Sequence, residues 1–410
     1  MFSESLPTKK MHICLHTSAH FMGTTATQWK STRPRQALKL PGKFKFYDVH
    51  KLLKAYPDCY YYVIFGERSN GKTYSSLLYA LEQYVSTGNQ FAYLRRYAED
   101  IRPKNLSNLF SGHIDNGVVT KLTKGEWDNI IYSRSKFYFE RTKEDGSRET
   151  SETPCGYAFD LNSMEHYKST SFPRITTVIF DEFMSRSGYL PNEFILFTNS
   201  LSTIIRHRNN VKILMLGNTV NKSCPYFLEM GLRHIKDQQP GTVDVYQYSQ
   251  TQLMVVCEYT GSAAKSGGKA SDVYFAFDNP ELQMITSGAW EIGIYPHLDT
   301  KYRPKDVVQH FFIEYEDELL HGEVVVVDDG DFIFLHAKTT DIKDPDNDIV
   351  YTTRPSTKWN YRMCLTKQSD KLSKYILSCL RENKIFYSTN EVGEVLRNYV
   401  MWSDQFSIKN

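Results

Sequence analysis

Between residues 46 and 248 short apolar runs alternate with amphipathic stretches. Runs rich in β-branched and aromatic residues predict strands at Tyr60–Phe65, Gln90–Leu94, Lys136–Glu140, Gly156–Asp160, Thr176–Phe180 and Val211–Leu216. Apolar positions at helical spacing predict helices at Thr73–Thr87 and about Glu193–Ile205. Such alternation builds a mainly parallel sheet with covering helices, an α/β domain. After Arg303-Pro304 the pattern changes. His310–Tyr315, Glu323–Val327 and Phe332–Ala337 read as an antiparallel meander with a turn at Asp328–Asp331. Two helices are expected beyond it, near Ser369–Asn383 and Asn390–Trp402. Residues 1–45 lack periodicity and are broken by Pro34, Pro41 and Gly42, while Gly261–Gly268 has the composition of a loop or linker. The expected division is an extension at 1–45, an α/β domain at 46–248, a linker domain at 249–303 and an α+β domain at 304–410. No internal repeat is visible.

Composition narrows the classes. The chain has 410 residues, 41% hydrophobic and 23% charged, the balance of a globular protein of two or three compact units. No apolar run approaches the ~18–20 residues of a membrane span, so no membrane partner is expected. The first thirty residues carry His, Ser and Thr rather than the apolar core of a signal peptide. Seven cysteines are scattered without a C-x-x-C pair, which reads as reduced thiols, with no disulfide framework or zinc site. Net charge is only +2, yet it is unevenly spread. Residues 1–45 hold eight Lys/Arg against Glu4, residues 311–348 hold twelve acids against Lys338 and Lys343, and residues 351–410 turn basic again. Basic patches for a polyanion can therefore coexist with an acidic segment, though any one run can equally be an ordinary solvated face.

The chemistry concentrates where the first predicted strand breaks. Gly66-Glu67-Arg68-Ser69-Asn70-Gly71-Lys72-Thr73 follows a strand and opens a helix, the context of a G-x-x-x-x-G-K-[ST] phosphate-binding loop. The two glycines let the backbone curl so that successive N–H groups point inward, and the helix N-terminus adds its positive end. Lys72 is expected to reach the terminal phosphates of ATP and Thr73 to hold Mg²⁺; Gly66, Glu67, Arg68, Ser69, Asn70, Gly71 and Tyr74 complete the expected nucleotide-binding loop. A motif match alone can be coincidence; the flanking strand and helix favour function.

A second apolar strand ends in adjacent carboxylates, Asp181-Glu182. Paired with an upstream phosphate loop, Asp181 is expected to position Mg²⁺ and Glu182 to act as general base toward water. The bland alternative is a buried strand ending in two solvated acids. A third strand ends in Asn218, suited in type to sensing the γ-phosphate, although a strand-end Asn is also an ordinary turn residue. Arg206 and Arg208 follow the second helix, and Arg95-Arg96 end the second strand at the edge where open α/β sheets bind ligands.

Together these residues resemble the DNA-encapsidation (genome-packaging) ATPases of small, protein-primed, short-tailed bacteriophages, in the FtsK–HerA-like branch of additional-strand P-loop ATPases. The resemblance covers about residues 50–245 and the rest loosely. Its carriers are the Arg68-bearing loop, Phe91–Tyr97, Tyr167–Arg174, Thr177–Phe183, Tyr189–Glu193, Arg206–Arg208 and Pro225–Leu228. It implies a P-loop ATPase domain, a small linker domain and a C-terminal domain resembling a vestigial RNase H-like nuclease. It implies that Lys72 and Thr73 bind phosphate and Mg²⁺, that Asp181 positions the metal and Glu182 is the base, that Arg206 is a trans-acting arginine finger, and that Asn218 is a catalytic polar residue. Ala98 stands where the family carries a lysine, so no trans-acting role transfers there.

The implied function is an ATP-driven translocase of double-stranded DNA. It would work as a homo-oligomeric ring, a pentamer by resemblance, at a viral portal, with a packaging RNA in some relatives. The implied location is the host cytoplasm, transiently at the procapsid portal. Lys121, Lys124 and Arg134 are candidate DNA contacts from a loop-rich insertion. Two alternatives stand beside this reading: a terminase with an active two-metal nuclease, and a nucleotide-binding adaptor without turnover. The acids Glu314, Glu316, Asp328, Asp329 and Asp331 could serve a nuclease, but no aspartate lies mid-strand in His310–Tyr315 and Asp328–Asp331 reads as a turn, which favours a non-cleaving domain.

Overall fold

The computed structural model describes residues 46–186, 188–248, 251, 253–261, 293–299, 301–328 and 330–407, with the backbone alone at 14–16 and 405–407. Most of the basic extension, the Gly261–Gly268 loop beyond its first residue, and Asp329 lie outside these described residues. The chain forms two compact units, Met1–Ser185 with Asn192–Trp290, and Arg186–Pro191 with Glu291–Asn410.

The first unit is built on one eleven-stranded sheet. Its strands are β1 (Cys14–His16), β2 (Tyr61–Gly66), β3 (Gln90–Arg95), β4 (Asn129–Ser133), β5 (Lys136–Thr142), β6 (Arg148–Thr150), β7 (Gly156–Asp160), β8 (Ile175–Asp181), β9 (Lys212–Asn218), β10 (Thr242–Tyr248) and β11 (Met254–Tyr259). Their order is β1-β10-β11-β2-β9-β8-β3-β7-β5-β4, with β6 on β5. The centre, β11-β2-β9-β8-β3-β7, is wholly parallel. Central strands must bury both faces, and every residue of β8 is buried. The fold is the P-loop ATPase fold with an additional strand, since β9 separates β2 from β8.

Three helices matter to the site: α1 (Val49–Ala55), α2 (Lys72–Thr87) and α3 (Glu193–Ile205). Leu77, Ala80 and Leu81 of α2 join Tyr62 and Ile64 of β2 in one core. On the other face α3 sets Phe197 against Phe180, with ring centroids 5.1 Å apart, inside an aromatic cluster with Phe183 and Tyr226.

One boundary is corrected. Met254–Tyr259, expected within the 249–303 linker, is strand β11 and lies directly against β2. Val255, Val256 and Cys257 are fully buried there, so this segment cannot leave the sheet without exposing them. The short run Thr242–Tyr248, for which no strand was expected, pairs antiparallel with it.

The second unit holds a six-stranded sheet of β12 (Val307–Tyr315), β13 (Glu318–Val327), β14 (Gly330–Ala337), β15 (Ile349–Thr352), β16 (Tyr361–Met363) and β17 (Ile385–Tyr387). The order is β16-β15-β12-β13-β14-β17, an antiparallel meander with parallel strands added on both sides. Helices α4 (Lys371–Arg381) and α5 (Asn390–Ser407) follow. Ile376 and Leu396 from these helices pack with Phe311, Ile313, Leu320 and Ile333 in one core, as the alternation in the sequence requires.

Candidate functional site

The C-terminal ends of the parallel strands line up, because register pairs Gly66 with Asn218 and Asp181 with Leu216. Side chains and loops at this edge enclose a cleft of about 280 Å³ lined by Ser69 to Tyr74, Asp181, Glu182, Leu216, Gly217 and Asn218. The lysine, the hydroxyl, both acids and the amide that the sequence singled out thus border one space. Glu67 and Arg68 belong to the loop but not to this lining.

The loop has its shape because its glycines permit it. Gly66 has φ +146° and Gly71 φ +94°, and a Cβ on Gly66 would sit 2.1 Å from Thr260 Oγ1. The loop is also braced from two residues that sequence reading missed. Thr260, just past β11, accepts from Asn70 Nδ2 at 2.8 Å, and Tyr47 donates its N–H to the Asn70 carbonyl at 2.8 Å. Tyr47 in turn donates its hydroxyl to Glu258 at 2.6 Å, where burial lifts the carboxyl to about 7. Neither brace carries a motif; both follow from β11 joining the sheet.

Lys72 is buried, with its ammonium in an all-oxygen shell: the Glu67 carbonyl at 2.6 Å, Asn70 Oδ1 at 3.2 Å, Asn218 Oδ1 at 3.4 Å and the Gly66 carbonyl at 3.5 Å. Burial lowers its pKa to about 8, opposed by the charges of Asp181 and Glu67. Thr73 Oγ1 lies 3.2 Å from each Asp181 oxygen, and Tyr93 donates to Asp181 Oδ2 at 2.8 Å. Burial raises the Asp181 pKa, against the lowering pull of Arg95 and these hydrogen bonds. A hydroxyl and a carboxylate side by side, next to an ammonium at a helix N-terminus, suit a divalent cation carried by a polyphosphate. The donor set fits Mg²⁺ and ATP.

Glu182 stands at φ +56°, on the turn that leaves β8. Its carboxylate meets Arg95 Nη2 at 2.5 Å. Arg96, just past the end of β3, reaches instead to the backbone of the turn after β8 and to α3. Its Nε binds buried Glu193 at 2.8 Å, and its Nη2 donates to the Phe183 carbonyl at 2.7 Å. Tyr226 donates to the other Glu193 oxygen at 2.8 Å. The Arg95-Arg96 pair thus splits: one arginine faces the general-base candidate, the other clamps α3 beneath it.

Arg206 lies outside the cleft lining. It caps α3 at φ +54°, and its Nη2 donates to the Thr170 carbonyl at 2.9 Å and more weakly to Lys168. Arg208 is spent on backbone carbonyls of Phe172, Pro173, Ile175 and Ile204, holding the approach to β8. Lys121, Lys124 and Arg134 are all exposed, the last in the β4–β5 turn. In the second unit, among the described residues, no three carboxylates converge; Asp331 instead accepts from Tyr375 at 2.5 Å and meets Lys384 at 3.5 Å.

A family model described as Podovirus DNA encapsidation protein (Gp16) matches residues 42–247. The DNA packaging proteins of Bacillus phages phi29 and PZA are each 31% identical over 193 residues, which is 46% of this chain and 51% of each relative. The chain therefore spans about half the length of these curated relatives. Among solved structures, the bacteriophage Phi-29 viral genome packaging motor assembly is similar at TM-score 0.52 and 20% identity, over 89% of this chain and 99% of that one. At that identity the likeness is one of fold.

Proposed function

This chain belongs to the Podovirus DNA encapsidation protein (Gp16) family, and from that premise we propose that it is an ATP-hydrolysing motor driving double-stranded DNA into a viral capsid. The observation that carries the proposal is the convergence of Lys72, Thr73, Asp181, Glu182 and Asn218 on one cleft at the strand ends. In this reading the loop N–H groups and Lys72 bind the phosphates, exchanging the ammonium's protein oxygens for phosphate oxygens. Thr73 and Asp181 hold Mg²⁺, which supplies charge neutralisation at the phosphates. Glu182 accepts the proton of the attacking water, and Arg95 sets the direction of that carboxylate. Asn218, hydrogen-bonded to Lys72, ties the additional strand to the phosphate end of the site.

Arg206 cannot serve the cleft of its own chain while bonded to Thr170, which supports a role across a subunit boundary in a homo-oligomeric ring. A pentamer, a portal, a packaging RNA and the host cytoplasm are the finer expectations that go with this family. DNA contacts would be sequence-independent and salt-sensitive, with Lys121, Lys124 and Arg134 as candidates. The second unit is proposed to be non-cleaving, because the described carboxylates of its sheet do not gather around a metal pair.

The deciding experiment measures ATP turnover of the full chain with and without double-stranded DNA, alongside oligomer mass. Turnover that requires Lys72 and rises with DNA on an assembled species is the expected result. Turnover absent under every condition, with nucleotide still bound, returns the chain to the adaptor alternative.

A further inference from the structure

On the face of the second sheet opposite its helices, three imidazoles and a carboxylate crowd together. Strand pairing sets His310 of β12 opposite Glu323 of β13, and His321, two residues before Glu323, opposite His336 of β14. Residues two apart on a strand share a face, so register alone brings these four side chains to one patch. His310 Nδ1 lies 2.9 Å from His321 Nε2 and 4.0 Å from Glu323 Oε1. One ligand atom from each of His310, His321 and Glu323 lies within 4.8 Å of the others.

The geometry points to a transition-metal site: we propose that His310, His321 and Glu323 bind one Zn²⁺ ion through two imidazole nitrogens and a carboxylate oxygen. Two nitrogens bonded to tetrahedral zinc at about 2.0–2.1 Å stand roughly 3.3 Å apart. The 2.9 Å contact between the histidines needs to open by only a few tenths of an ångström. That contact also requires one nitrogen to present a lone pair, as a metal ligand must. Glu323 Oε1, 4.0 Å from His310 Nδ1, draws in further, by about 0.7 Å to the same ligand spacing.

The surroundings hold the ligands in place. Tyr302 donates its hydroxyl to Glu323 Oε2, leaving Oε1 toward the histidines, the outer-shell hydrogen bond that orients a ligating carboxylate. Phe312 stacks on His321 at 4.7 Å between ring centroids with an interplanar angle of 17°, and His336 packs edge-on to it at 4.7 Å. Three protein ligands leave a fourth position for water. Two nitrogens in the set select zinc over Mg²⁺, which prefers all-oxygen shells.

The test titrates the full chain with Zn²⁺ by isothermal calorimetry in millimolar Mg²⁺, comparing wild type with His310→Gln, His321→Gln, Glu323→Gln and Asp181→Asn. One zinc per chain is expected, with affinity at least tenfold weaker in each of the first three variants and unchanged in Asp181→Asn, which removes a carboxylate of the ATP cleft. His321 is packed against aromatic rings, so its variant can disturb the sheet. His310 is half exposed, and His310→Gln with an unchanged metal-free melting temperature decides the matter. Failure to take up zinc stoichiometrically, or uptake indifferent to His310→Gln, overturns the site.

Discussion

Lys72, Asp181 and Glu182 owe their chemistry to where the chain puts them. Lys72 is held near 8 by burial, so a large fraction of its ammonium is lost only above that pH. Bound phosphates raise its pKa again, so binding takes up a proton when the free lysine is neutral. ATP affinity should therefore be flat below about pH 8 and fall above it, by up to tenfold per unit. Titrating a fluorescent ATP analogue across that range checks this. Lys72→Arg should bind without the slope, because a guanidinium does not titrate there; a pH-independent wild type would sink the assignment. Glu182→Gln should keep ATP binding and lose roughly 10²–10⁴-fold in turnover. Arg95→Met should reduce kcat by up to about 10²-fold with little change in KM, because it touches the base candidate rather than the phosphates. If KM rises instead and kcat holds, Arg95 binds nucleotide directly.

At the scale of elements, the turn after β8 depends on a buried ion pair below it. Arg96 and Glu193 are both almost fully buried, and Glu193 starts α3, where the helix N-terminus favours a carboxylate. Arg96→Met strands that charge and should cost about 3–5 kcal/mol of stability in urea unfolding, with Arg96→Met/Glu193→Gln recovering most of it. A loss below about 1 kcal/mol for the single variant would show the clamp to be dispensable. Strand β11 acts similarly on the phosphate loop through Thr260 and the Tyr47–Glu258 bond. Its sequence, Met254–Tyr259, alternates too little to be separated from a linker by pattern. Only its insertion between β10 and β2 makes it structural.

At the scale of the molecule, the proposed ring makes a prediction that one chain alone cannot satisfy. Subunits carrying Arg206→Ala and subunits carrying Glu182→Gln should each be inactive, yet mixtures should hydrolyse ATP where an intact arginine meets an intact base. Inactivity at every mixing ratio would confine Arg206 to its own chain, where it braces the Thr170 carbonyl. The two units differ in how legible they were. The meander of the second unit and its two helices follow from apolar periodicity, while β15, β16 and β17 are only three or four residues each and leave almost no periodic signal.

By itself the sequence determined the strand–loop–helix of Gly66–Thr87, the acid pair ending β8 and the order of the central elements. These are local facts: hydrophobic period, glycine freedom and residue type act within a few positions. Only the tertiary structure decided that Arg95 faces Glu182 while Arg96 turns to Glu193, that Thr260 and Tyr47 brace the loop, and that His310, His321 and Glu323 meet. The first two depend on contacts between segments far apart in the chain, and the third on the exact register of the β12–β13 hairpin. Register is set by burying whole faces rather than by residue type within a few positions.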